Sequence, residues 1–239
     1  LIDLINLHDA STIAAVIIEP VACSTGVLVP PIGYLEEIRD ICTKNGILLI
    51  FDEVICGFGR LGTPFSGDKF NVIPDIMTLA KGITNATVPM GAVATHKKIY
   101  DGLMHGPENV IELFHGYTYS GHPVAAAAGL ATLEVYKKED LFQRAKQMET
   151  IFQNALHTLK GERFIIDIRN FGLMGAIHFG SEEGKNATEI SSQVFKYCYE
   201  NDVLVRFSGD FIVLSPALIV EEDHINTIVE TLRKGIQSI

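Results

Sequence analysis

Near the start of the chain two apolar runs flank one amphipathic stretch, and no other feature limits the fold as tightly. Residues 13–18 and 47–51 are unbroken apolar runs of strand length. Between them Tyr34, Leu35, Ile38, Ile41 and Cys42 recur at helical spacing, so the pattern predicts a helix from Pro31 to Asn45. Pro31 suits a first helical turn and Gly46 is placed to end the helix. Strand, helix, strand in this order is a βαβ unit, which calls for a parallel sheet with a right-handed crossover. Further strands are predicted at 76–79 and 91–95.

After His122-Pro123 the texture changes. Residues 124–159 read as one helical region, alanine-rich at first and then amphipathic through Phe142, Met148, Phe152, Leu156 and Leu159. Gly161 breaks it. Beyond lie short strand patterns at 165–169, 175–179, 204–206 and 211–214, with helical ones at 188–201 and 222–237. That is the signature of a small α+β domain.

At 239 residues, 47% hydrophobic and 20% charged, the chain has ordinary globular usage, which excludes disordered, collagen-like and coiled-coil classes. Its formal charge of -10 argues against a duplex nucleic-acid binder and for small-molecule chemistry. No apolar run approaches the length of a membrane span. Cys23, Cys42, Cys56 and Cys198 show no C-x-x-C spacing, so free thiols in a reducing, cytoplasmic setting are expected. The opening Leu1-Ile2-Asp3-Leu4 has no basic or cleavage-site pattern of a signal peptide and reads as a chain entered partway through.

Two polar residues stand where apolar runs end. Asp52 directly follows the run 47–51, and in an open parallel sheet the carboxyl ends of the strands border the ligand crevice. The same position also suits a loop or capping acid. A magnesium-holding acid of a nucleotide hydrolase would need a G-x-x-x-x-G-K-[ST] loop, which this sequence lacks. Lys81 follows the run 76–79; burial there would make it a nucleophilic amine, whereas a snorkelling side chain would leave it an ordinary lysine. Taken together, the acid and the amine are the pair that pyridoxal phosphate chemistry requires. The lysine holds the aldehyde carbon as an imine, and the carboxylate keeps the pyridine nitrogen protonated. Arg206, in Val205-Arg206-Phe207-Ser208-Gly209-Asp210, offers a planar fork suited to a carboxylate, with a surface ion pair as the plainer role. His115 and His122, seven residues apart, fit structural hydrogen bonding better than metal ligation, and Arg60 fits a loop-fixing role.

Six stretches carry a family resemblance: Glu19-Pro20-Val21, Leu28-Val29-Pro30-Pro31, Phe51-Asp52-Glu53-Val54, Gly57-Phe58-Gly59-Arg60, Ala80-Lys81-Gly82 and the segment from His115 to Pro123. In order and spacing they resemble the class III pyridoxal-phosphate-dependent aminotransferases, most of all the ω-amino acid:pyruvate (β-alanine:pyruvate) group. The resemblance runs along the whole chain and corresponds to the C-terminal part of that family. It implies an α/β, fold-type-I architecture. Residues 1–125 would be the C-terminal portion of the large, mainly parallel cofactor domain, 126–160 a connecting helix region, and 161–239 the small α+β domain.

It further implies that Lys81 is the Schiff-base lysine, Asp52 the partner of the pyridine nitrogen and Val54 the apolar residue against one ring face. Thr118 matches the threonine that reaches the cofactor phosphate of a neighbouring subunit, which implies a homodimer. Arg206 matches the arginine that binds the substrate carboxylate, with Asp210 positioned to orient it. The implied reaction moves an amino group from an ω-amino acid or amine to pyruvate. A decarboxylase or aminomutase of the same class, or a non-catalytic fragment, is the alternative. Cys23, Cys56 and Ala86 depart from the family pattern, Ala86 standing where glycine is common.

Overall fold

A computed structural model describes residues 1–110, 113–182 and 184–239. The chain divides into two compact units. One comprises Leu1–Pro20, Pro31–Gly57 and Phe65–Glu139, and the other Val21–Pro30, Phe58–Pro64 and Asp140–Ile239.

The first unit is built on a four-stranded sheet: β1 (Ala15–Ile18), β2 (Leu48–Asp52), β3 (Ile76–Leu79) and β4 (Ala92–Thr95), in that spatial order. The first three strands are parallel and β4 is antiparallel to β3, so the predicted parallel sheet is present. Helices α1 (Ile2–His8), α2 (Tyr34–Asn45), α3 (Ser66–Phe70), α4 (Lys97–Leu103) and α5 (Pro123–Lys138) accompany it. The core joins Leu35, Ile38 and Cys42 of α2 to Leu49 and Phe51 of β2, with Ile47 and Val72. Leu49 and Phe51 are fully buried, and each such side chain contributes roughly 1.5–3 kcal/mol. Helix α2 starts three residues later than Pro31 suggests, because Gly33 adopts φ 85, which a right-handed helix cannot include. It ends where expected: the Gly46 N–H closes onto the carbonyls of Cys42 and Thr43.

Asp75 fixes the alignment of β3 beside β2. Its Oδ2 accepts the Leu49 N–H at 2.8 Å and the Arg39 guanidinium at 2.7 Å, while its own N–H donates to the Leu49 carbonyl at 2.8 Å. Burial pushes this carboxyl up, but the Leu49 amide and Arg39 outweigh it and hold it below its ordinary value.

The second unit carries an antiparallel sheet of β5 (Ile165–Phe171), β6 (Met174–Phe179), β7 (Arg206–Ser208) and β8 (Phe211–Leu214), in the order β5-β6-β8-β7. Helices α6 (Leu141–His157), α7 (Ala187–Glu200) and α8 (Glu222–Gln237) pack with it. Gly175 lets α6 sit close: a Cβ there would come within 2.5 Å of Leu156. Helix α7 begins with a capping box, the Glu189 N–H donating to Asn186 Oδ1 at 2.8 Å.

Two sequence expectations shift. The single helical region predicted over 124–159 is two helices, separated at Glu139-Asp140, where Asp140 takes a left-handed φ of 49. The strand expected at 204–206 begins at Arg206 instead, because pairing with β8 runs from Arg206 opposite Val213 to Ser208 opposite Phe211. Apolar Leu204 is left 80% exposed by this shift.

Candidate active site

Asp52 is the last residue of β2 and is register partner to Thr78 of β3, so their side chains share one face of the sheet. Lys81 lies three residues beyond Thr78 and opens a 3-10 turn, Lys81–Ile83. The acid and the amine thus leave the carboxyl ends of adjacent parallel strands, which run about 4.8 Å apart. Asp52 is half-buried. One of its oxygens accepts the Val54 N–H at 3.1 Å, and the other has no partner among the described residues. This short loop also fixes Val54, itself half-buried, directly past the acid. Thr78 Oγ1, on the same face as Asp52, is buried without a hydrogen-bond partner among the described residues.

Lys81 differs from the expectation of a desolvated amine: its side chain is exposed. What singles it out is its backbone. Lys81 has φ 48, Asn85 φ 49 and Ala86 φ 60, three non-glycine residues in left-handed conformation within six positions. Each such residue costs about 1 kcal/mol or more, and strain of this kind collects at functional sites. The requirement for positive φ at position 86 also explains why a glycine is the easier residue there.

Glu53 was not singled out from the sequence, yet it is completely buried. Strand alternation sends it to the face opposite Asp52, while its N–H extends the ladder to the Thr78 carbonyl at 3.0 Å. Its carboxyl accepts the Ser66 N–H at 2.8 Å and the Ser66 hydroxyl, tying the loop after β2 to the start of α3. Burial pushes the Glu53 carboxyl up despite these bonds, and Oε2 is left without a partner among the described residues. The adjacent Asp-Glu pair directly after an apolar run was the available signal.

Thr118 is exposed in a loop wound by local bonds, the Tyr117 N–H donating to His115 Nδ1 at 3.0 Å and the Ser120 N–H to the Tyr117 carbonyl at 2.9 Å. The loop borders an open hollow of about 940 Å³, lined among others by Met90, His115, Thr118, His122 and Ala126. His115 therefore acts as a turn acceptor. No group of metal-ligating side chains occurs among the described residues.

In the second unit Arg206 is exposed, and its side chain makes no ion pair or hydrogen bond among the described residues. It edges an apolar hollow of about 440 Å³ with Phe195, Leu204, Phe207 and Ile228. Asp210 does not orient it: the Asp210 carboxylate lies 3.0 Å from His178 Nε2, and that imidazole stacks on Phe211 at 4.2 Å. Arg60 fixes a loop, as expected, by donating to the Leu173 and Pro216 carbonyls. Gly172 permits that docking, since a Cβ would fall 2.5 Å from the Arg60 carbonyl oxygen.

Comparisons with known proteins show which family the chain resembles. The family profile for class III aminotransferases matches residues 2–236. An omega-aminotransferase of Caulobacter vibrioides is 56% identical over 99% of this chain and 54% of its own length. A beta-alanine–pyruvate aminotransferase of Pseudomonas aeruginosa is 44% identical over 100% of this chain and 54% of its own length. The chain thus spans about half the length of the relatives it matches. Among solved structures, an omega-transaminase from Thermomicrobium roseum superposes with a TM-score of 0.92 at 34% identity, covering 99% of this chain and 53% of that one. An amine transaminase from an uncultivated Pseudomonas species, described as PLP-bound, gives 0.91 at 36% identity, covering 99% and 55%. With a family profile along nearly all of its length and the fold of the transaminases, the chain belongs to the class III aminotransferases, a pyridoxal-phosphate-dependent, fold-type-I family.

Proposed function

We propose that the full-length protein is a transaminase that moves an amino group from an ω-amino acid or amine to pyruvate, with pyridoxal phosphate carried on Lys81 as a Schiff base. One observation carries the reading. Lys81 and Asp52 leave neighbouring parallel strand ends with polar atoms uncommitted, the lysine on a left-handed backbone. The residues fit the group. A carboxylate with one spare oxygen, an exposed primary amine and an unpartnered threonine hydroxyl suit a cofactor that offers a protonated ring nitrogen to an acid and an aldehyde to an amine. When bound, pyridoxal phosphate supplies an electron sink for the charge left when the substrate carbon loses a proton.

The chain's own residues do the rest. Asp52 would hold the ring nitrogen protonated, and Val54 would lie against the ring. With the cofactor bound, the Lys81 amine would take the proton from the substrate carbon that bears the amino group. Thr118 serves the phosphate of the neighbouring subunit's cofactor in a homodimer, and its exposure beside an open hollow supports that role. Arg206, whose side chain is unpaired among the described residues at the edge of an apolar hollow, takes the substrate carboxylate in a charge-assisted, bidentate bond. In this reading residues 1–125 are the C-terminal portion of the large cofactor domain, 126–160 connect, and 161–239 form the small domain. No helix among the described residues is long and apolar enough to cross a membrane, and none of the four cysteines is in a disulfide, which supports a cytoplasmic setting.

The test is Lys81→Ala in the full-length protein. Its turnover falls by a factor of about 10² to 10⁴ and the absorbance of the lysine-bound cofactor disappears. Transamination at the wild-type rate would overturn the reading.

A further inference from the structure

The geometry points to Tyr136 as a positioning residue for Lys81. This inference rests on the function proposed above. Helix α5 buries one stripe, Ala125, Gly129, Thr132 and Tyr136, and the turn that begins at Lys81 packs against that helix. Three of the four are small, and the turn lies against the Gly129 face. A Cβ on Gly129 would sit 3.6 Å from the Ile83 carbonyl and 3.4 Å from the Met90 sulfur. The fourth, Tyr136, is 4% exposed and reaches across. Its hydroxyl donates to the Gly82 carbonyl at 2.7 Å and lies 3.1 Å from the Asn85 side-chain amide oxygen. A phenol has one proton, so with that proton on Gly82 the Asn85 amide satisfies the contact by turning its NH₂ toward the hydroxyl.

These two contacts bracket the strained segment. Lys81 precedes Gly82, and Asn85 and Ala86 carry the other two left-handed φ values. The turn's own hydrogen bonds are long, Ile83 N–H to Ala80 at 3.2 Å and Thr84 N–H to Lys81 at 3.3 Å. The buried phenol is therefore a firm tether from the helix to the carbonyl of Gly82, the residue that follows the lysine. It fixes where the Lys81 main chain sits, and so the arc its amine can sweep, without touching the amine. Thr84 Oγ1, donating to the Val88 carbonyl at 2.7 Å, closes the far side of the same loop.

The experiment is Tyr136→Phe in the full-length holoprotein, which keeps the ring and removes only the hydroxyl. Amide hydrogen exchange over residues 81–86 quickens by about tenfold, kcat falls by about tenfold with the KM of the amino donor unchanged, and the pH midpoint of the cofactor's absorbance moves. Asn85→Ala, at an exposed position, gives the same changes in smaller measure and carries the test if the phenylalanine variant does not fold. Wild-type exchange, kcat and absorbance midpoint, with or without a fall in thermal stability, would overturn the inference. The two readings fail separately. If Lys81→Ala retains full turnover, the proposed function fails, while faster exchange in Tyr136→Phe still reports the tether. If Lys81→Ala is inactive and Tyr136→Phe behaves as wild type, only the tether fails.

Discussion

The two ends of the parallel sheet use acids in opposite ways. At the amino end of β3, Asp75 is committed: it accepts from Leu49 and Arg39 and its backbone locks the register. At the carboxyl end of β2, Asp52 accepts one backbone N–H and, among the described residues, keeps an oxygen free on the face of the sheet that carries the unpartnered Thr78 hydroxyl, while the strained Lys81 follows the adjacent strand. An acid next to an apolar run is thus a weak sign of chemistry until its partners are counted. The second unit repeats the contrast, with Asp210 taken by His178 and the Arg206 side chain without a partner among the described residues.

That contrast is breakable. Asp52→Asn should lower turnover by a factor of about 10² or more with the fold intact, because a neutral amide cannot hold the ring nitrogen protonated. An unchanged kcat in a steady-state assay would place Asp52 with the structural acids. Arg206→Ala should raise the KM for carboxylate-bearing donors by roughly ten- to a hundredfold, the worth of one charge-assisted bond, and leave simple amines unaffected. Asp210→Ala should leave that selectivity alone, since its partner is the imidazole. Equal losses for acids and amines in the Arg206 variant would remove it from carboxylate binding.

The smallest effect concerns stability and has a defined sign. The Asp75 carboxyl is held below its ordinary value in the fold, so its contribution is present above the unfolded-state value and is lost as pH falls through the folded one. Asp75→Asn should cost about 1–2 kcal/mol near neutrality, and the gap from wild type should close on acidification. Glu53 works the other way. Its carboxyl is raised, so the fold binds a proton the unfolded chain gives up, and stability falls as pH rises from the ordinary value through the raised one. Glu53→Gln should flatten that part of the curve. Urea midpoints across pH for both variants decide whether the two carboxyls differ in sign.

How much was legible can be followed residue by residue. The apolar run 47–51 announced a buried strand, and β2 runs Leu48–Asp52; the tail 222–237 matches α8. The lysine and the acid stand out in the sequence because a charged residue at the end of an apolar run is conspicuous. Asp75 and Asp210 had nothing in their neighbours' identities to mark them as consumed, since their partners lie 26 and 32 positions away. Nothing in the sequence marks Tyr136, because its hydroxyl meets carbonyl and amide groups more than 50 positions earlier.

Periodicity and chain chemistry by themselves determined the parallel strands, the crossover helix with its stop at Gly46, and the acid and amine at successive strand ends, because these follow from which side chains avoid water and which backbone angles glycine alone takes freely. Only the tertiary structure decided the break at Asp140, the shift of β7 to Arg206, the burial of Glu53 and the left-handed backbone of Lys81. Those depend on pairing register and on contacts between distant segments, and a local pattern does not encode either.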